Sequence, residues 1–231
     1  MIWSMHRSIA SLVTLLLFGC AHSFERGENL LINGSFEEGK PPWFDFHETG
    51  NPYWAEFSIT DDYVYHGVRG ARLALDSKAF GTSVGISGAI QEIATERFPR
   101  WLSGHFRVQR WNRGTSKQYV QLVVMALKPS NFAEFREISI QTAIILAGVE
   151  QPPLDMGNRR FRITGPVEPQ LHEWIPFEID LHELFEELWS GVPEGFEKIR
   201  FFIEVRFDQF DPQADERVIA LVYFDDLYLG E

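Results

Sequence analysis

Ile199-Arg200-Phe201-Phe202-Ile203-Glu204-Val205-Arg206-Phe207 is the stretch that decides the fold class. Ile199, Phe201, Ile203, Val205 and Phe207 fall on one side of an extended chain, and Arg200, Phe202, Glu204 and Arg206 on the other. Side chains of a strand alternate between faces, so a period of two predicts a strand with one face in a core. The period recurs upstream. In residues 102–111, Leu102, Gly104, Phe106 and Val108 share one face, and Ser103, His105, Arg107, Gln109 and Trp111 share the other. Asn112-Arg113-Gly114-Thr115 then reads as a turn into a more apolar strand at residues 119–127. That hairpin would set Tyr119 and Gln121 beside the outward row. Ile175, Phe177, Ile179 and Leu181 form another inward row, and residues 218–229 read as the closing strand.

From Asn29 onward, short apolar segments are split by Gly, Pro, Asn and Asp, which suits an antiparallel sandwich or barrel. Twenty Phe and seven Trp fit pleated, half-buried surfaces, and most of the Phe are expected in the core. One short helix is predicted. Asp180 and Glu183 make an N-cap and capping-box pair, Leu184, Phe185, Leu188 and Trp189 follow at helical spacing, and Gly191 is the stop. Residues 151–169 form a Pro/Gly-rich loop holding one short strand at 160–163.

The amino terminus carries Arg7 and then an apolar run at residues 9–18, too short to span a bilayer. A short apolar core behind a positive head reads as a cleavable signal peptide. Leu17-Phe18-Gly19-Cys20 resembles the bacterial lipobox. The resemblance implies a lipoprotein signal over 1–19, an acylated Cys20 with a linker over 20–28, and one domain over 29–231. An ordinary secretory signal with an incidental Cys is the other reading. Cys20 is the chain's one cysteine, so no internal disulfide can form. Acyl chains contribute about 0.8 kcal/mol per buried CH₂, enough with two or more for a stable anchor. In the proteobacterial lipoprotein sorting pattern that this resembles, Asp after the Cys favours the inner membrane, so Ala21 implies the outer membrane, facing the periplasm or cell surface.

Composition narrows the function. A net charge of −12 argues against nucleic acid, whose phosphates require Lys and Arg. No metalloprotease or phosphate-loop motif is present. A glycosidase needs two carboxyls about 5–9.5 Å apart in a cleft, which sequence does not show. The expectation is a protein that is not an enzyme, with a glycoside hydrolase or lyase as the lesser reading.

Asn29-Leu30-Leu31-Ile32-Asn33-Gly34-Ser35-Phe36-Glu37-Glu38-Gly39, with Trp43 after it, resembles the opening strand of carbohydrate-binding modules found on cellulases and xylanases. His66-Gly67-Val68-Arg69-Gly70-Ala71-Arg72-Leu73, Ala89-Ile90-Gln91-Glu92-Ile93 and Tyr223-Phe224-Asp225-Asp226-Leu227-Tyr228-Leu229 resemble later strands of the same modules. Together they span the whole domain. The resemblance implies an all-β, galactose-binding-like jelly roll, a fold that does not by itself imply sugar binding.

It also implies a structural Ca²⁺ held by Glu37 and Asp225, with backbone carbonyls of Gly67 and Arg69. Calcium takes six to eight oxygens, so water would have to help. Alternatively, Glu37 is a solvated edge carboxylate and Asp225 caps local backbone groups. For a ligand, the outward row His105, Arg107, Gln109 and Trp111, with Tyr119, Gln121 and Arg206, offers a ring for a sugar face and donors for its hydroxyls. Arg107 and Arg206 would suit a uronate. The same row also describes a plain solvated sheet face. Trp43, Tyr53 and Trp54 either form a stacking edge on a loop or plug the end of the sandwich. The partner is expected to be a carbohydrate or, alternatively, an envelope protein for which the domain is a docking subunit.

Overall fold

A computed structural model describes residues 27–114, 116–213 and 215–231. The signal peptide and Cys20 lie outside the described residues. Two sheets stack face to face. The first runs in the order β1 (Trp54–Ala55), β4 (Gly85–Ile93), β10 (Lys198–Asp208), β6 (Lys117–Leu127), β7 (Ser139–Ala147), β8 (Arg159–Ile163). The second runs β2 (Ser58–Thr60), β3 (Gly70–Asp76), β11 (Ile219–Gly230), β5 (Trp101–Asn112), β9 (Trp174–Asp180). The pairs β1–β4 and β7–β8 are parallel and the rest antiparallel. This is a jelly-roll β-sandwich with one α-helix among the described residues, α1 (Leu181–Trp189).

The inward rows read from sequence meet in one core. Ile199, Phe201, Ile203, Val205 and Phe207 of the first sheet pack with Leu102, Phe106, Val108, Leu73, Val222 and Phe224 of the second. Each fully buried side chain of this size contributes about 1.5–3 kcal/mol relative to exposure. Helix α1 starts where expected. Asp180 Oδ1 accepts the His182 and Glu183 amides at 3.0 and 3.1 Å. It stops one residue earlier than Gly191, because Ser190 takes the left-handed position at φ 59° and donates its amide to Glu186 O.

Three expectations fail in instructive ways. Strands β5 and β6 form no hairpin; the chain crosses from one sheet to the other between Asn112 and Lys117. Trp111 does not share a face with His105 and Arg107. Opposite β11 the register skips Gln109, so Val108 pairs with Val222 and Arg110 with Leu221. One extra residue reverses the alternation. Trp111 therefore packs against the main core, its Nε1 buried without a hydrogen-bond partner. Residues 29–39 form turns rather than an opening strand. Asn29 replaces the ladder, bonding Leu227 O and the amides of Leu31 and Leu229 through its side chain. Asn33 and Phe36 have φ of 54° and 60°. Gly34 lies so close to β11 that a Cβ there would sit 2.2 Å from Leu227 O.

Candidate functional site

Two carboxylates fix the connection between β2 and β3. Asp225, fully buried on β11, accepts the Tyr65 and His66 amides on Oδ2 at 2.9 and 3.0 Å, and the Asp226 amide on Oδ1 at 2.7 Å. Glu37 reaches the same loop from the turns at the amino end. Its Oε1 accepts the Val68 and Arg69 amides at 2.8 and 3.0 Å, and its carbonyl accepts Arg69 Nη1. Gly67 makes this approach possible. It sits at φ 82°, where side chains are strained, and a Cβ would lie 2.1 Å from Glu37 Oε1. The two amides hold the Glu37 carboxyl below the usual carboxylate range. Burial pushes the Asp225 carboxyl up, while its three amide donors pull it back.

Glu37 and Asp225 thus meet the same loop, as expected, but on amide N–H groups. Those donors carry the same sign of partial charge as a cation, and calcium wants oxygens. As placed, Glu37 Oε1 and Asp225 Oδ2 are each turned to two amide donors of the loop. Gly67 and Arg69 serve the loop's geometry instead.

What the pinned loop carries is aromatic. Tyr63 and Tyr65, 44% and 46% exposed, lie over the outer face of the second sheet. The Tyr65 ring stacks on His105, with centroids 3.6 Å apart and planes at 17°. Its other neighbour is Trp174 of β9, at 5.7 Å and 66°. Tyr63 packs edge-on to Tyr223 at 5.2 Å. The Arg107 guanidinium lies over the Tyr63 ring at 4.7 Å, and Arg107 Nε donates to Gln109 Oε1 at 3.3 Å. Gln109 Nε2 in turn donates to the Tyr63 hydroxyl at 3.2 Å. His105, Arg107 and Gln109 are therefore together, as the alternation in β5 predicted. Burial pushes the His105 imidazole below its usual range, against the pull of Asp226 and Asp225. Its Nδ1 is buried without a hydrogen-bond partner, 3.8 Å from Asp226 Oδ2. Beside it a cleft of about 340 Å³ is lined by Pro176, Phe177, Glu178 and Asp226.

The remaining candidates lie elsewhere. Tyr119, Gln121 and Arg206 gather on the outer face of the first sheet, with Glu204 and Asp208. That cluster is bonded mostly within itself, with Gln121 Oε1 buried and without a partner. Asp208 accepts the Tyr119 hydroxyl and both Arg206 Nε and Nη2, the latter two at 2.9 and 2.7 Å. Gln121 donates to Glu204. Tyr119, Gln121, Glu204 and Asp208 are all buried, and burial pushes the Tyr119 phenol up. The connection after β7 lies against this end, where Lys117 Nζ bonds Pro153 O. Trp54, 8% exposed, lies beside Gly88 and Glu204 on the same face, packed on Phe46. Trp43, 2% exposed, is core; it packs on Phe36 and Phe201 and donates Nε1 to Asn33 O. Tyr53 is exposed at the start of β1.

Sequence reasoning missed Tyr63, Tyr65 and Trp174. No periodicity marks a loop tyrosine. The available signal was His66-Gly67 beside them, a motif whose loop must turn back over a sheet.

No protein-family model matches the chain, and no curated protein matches it significantly. Among solved structures it is similar to TmCBM61 in complex with β-1,4-galactotriose (13% identity, TM-score 0.43, covering 88% of this chain and 98% of that one). It is similar also to the enzymatically active domain of bacteriophage CBA120 tailspike protein 4 (12% identity, TM-score 0.40, 87% of this chain and 21% of that one). A third is CBM28, a carbohydrate-binding module specific for non-crystalline cellulose (10% identity, TM-score 0.44, 89% and 96%).

Proposed function

We propose that this chain is an exported, lipid-anchored protein whose sandwich is a non-catalytic carbohydrate-binding module. Its sugar lies on the outer face of the second sheet, over Tyr65, Tyr63 and Trp174. The observation that carries the reading is the Tyr65 ring: half exposed, stacked on His105, and borne by a loop tied down through four amide bonds to Glu37 and Asp225. A preformed ring covers the apolar face of a pyranose at little entropic cost, and Gln109, Arg107 and His105 lie around it for the hydroxyls. The first sheet's outer face is a weaker candidate, because its charged groups are already paired within a buried cluster, although Gln121 Oε1 is left without a partner there. The same closure supports a binding rather than a catalytic role. Glu204 and Asp208 share a face of β10, but each is occupied by neighbouring side chains. Export and anchoring rest on the Leu17-Phe18-Gly19-Cys20 motif.

The second reading is a docking module for an envelope protein. It draws on Val68, 68% exposed on the loop that carries Tyr63 and Tyr65. Screening the detergent-solubilised full chain against a glycan array separates the two. Binding to a glycan class that Tyr65→Ala abolishes in a folded variant supports the first. Folded protein that binds no glycan, but copurifies with a stoichiometric membrane partner, overturns it.

A further inference from the structure

Six of the fourteen described arginines end on a carboxylate: Arg100 on Asp180, Arg113 on Glu168, Arg162 on Glu187, Arg200 on Glu92, Arg206 on Asp208 and Arg217 on Asp76. Arg107 is among those that do not. Its partners among the described residues are the face of Tyr63 and, through Nε, the amide oxygen of Gln109. Its terminal nitrogens, the end of the fork that grips a carboxylate, have none.

The position of Arg107 sharpens the contrast. In the strand register it stands directly opposite Trp174 on one side and Tyr223 on the other. The guanidinium therefore lies among the rings of the proposed sugar shelf, half-buried and held flat. Rings that displace water lower the local dielectric constant, so a charge pair formed there is stronger than one in open water. An Arg fork whose stem is already bound loses less freedom on meeting a planar anion.

Resting on the carbohydrate-binding reading, we infer that the ligand of this face is an acidic sugar, a hexuronate unit whose carboxylate pairs with the outer edge of Arg107 while its ring lies on Tyr65 and Trp174. The opposite side of the shelf carries Asp226 beside His105. Its carboxylate suits hydroxyls and repels a second anion, so it orients the sugar with the sugar's carboxylate toward Arg107. Of the two arginines that sequence offers for a uronate, Arg206 already spends the Nε–Nη2 edge of its fork on the Asp208 carboxylate, whereas Arg107 has no carboxylate partner among the described residues.

The test compares polymers that differ only in the carboxyl. Full-length protein in detergent is titrated with polygalacturonate, with the same polymer carboxyl-reduced to neutral sugar, and with a sulfated neutral polymer. A charge-assisted bidentate bond predicts about tenfold or more tighter binding of the uronate form than the reduced form, and weaker binding of the sulfate. In folded Arg107→Gln that ratio should fall to near one. Equal binding of the uronate and reduced polymers by the unaltered protein overturns the inference without needing a variant, and leaves the carbohydrate reading standing. So does a ratio that survives Arg107→Gln. Sulfate binding as tight as uronate overturns the carboxylate assignment. Folded protein that ignores all three polymers and every glycan of the array overturns the underlying reading instead.

Discussion

The imidazole of His105 and the phenol ring of Tyr65 are stacked with centroids 3.6 Å apart and planes at 17°. One ring belongs to a strand of the second sheet and the other to the loop folded over it. The contact therefore ties the exposed platform to the core beneath.

This contact makes the platform sensitive to acid. Burial lowers the His105 pKa below its ordinary 6.5, with Asp226 and Asp225 opposing that shift from β11. As pH falls through 6.5, the unfolded chain takes up this proton before the folded one does. Stability contributed by neutral His105 is therefore full above 6.5 and declines as pH drops toward the folded value. The paired carboxylates Glu37, Asp76 and Glu92 all have lowered pKa values, so their losses begin only at more acidic pH. Thermal melts of the unaltered protein should show a decrease on acidification just below 6.5 that is absent in His105→Gln. Parallel curves for the two would rule the mechanism out.

The loop has two separate clamps, and they should fail separately. Glu37→Ala releases the Val68 and Arg69 amides, while Asp225 still holds those of Tyr65 and His66. Hydrogen exchange in this variant should speed up at Val68 and Arg69 and stay slow at Tyr65 and His66. Gly67→Ala should resemble it, since a Cβ at φ 82° displaces the Glu37 carboxylate. Uniform acceleration across residues 65–69 would mean that the clamps act as one.

Calcium should leave the domain unchanged. Two amide donors already occupy Glu37 Oε1 and two more Asp225 Oδ2, where an ion would need oxygens. Melting temperatures in excess EDTA and in millimolar Ca²⁺ should agree. A rise in calcium that Asp225→Asn removes would show that the loop rearranges to present its carbonyls.

Legibility from sequence followed the range of the physics involved. The inward rows of β5 and β10 were readable because alternation is local, and the start of α1 because Asp180 caps its own next two residues. The face of Trp111 was not readable. It depends on Gln109 being skipped opposite β11, a pairing with residues more than a hundred positions away. The sheet assignment of β6 was lost for the same reason: an alternating strand states that it has a core face, not which sheet it joins. Hence the ten ligand candidates divide between opposite faces and the interior, with Trp43 in the core, and only His105, Arg107 and Gln109 reach the shelf.

The buried cluster on the first sheet offers the experiment that decides between faces. Tyr119→Phe deletes one hydrogen bond to Asp208 but leaves Arg206 to neutralise it, so the cost should be about 1 kcal/mol. Arg206→Met strands the Asp208 carboxylate in the interior, and removing one member of a buried pair costs about 3–5 kcal/mol. In a Tyr119→Phe background, which leaves no hydroxyl orphaned, the double change Arg206→Met, Asp208→Leu should recover most of that loss, because apolar side chains of similar volume are near neutral in such sites. Urea unfolding of each protein measures these costs. Because the proposed sugar shelf lies on the far sheet, stacked sheets being about 10 Å apart, the folded Arg206→Met protein should bind glycan as the unaltered protein does. If it remains folded and loses the glycan, the ligand lies on the first sheet, and the closed cluster must open to admit it.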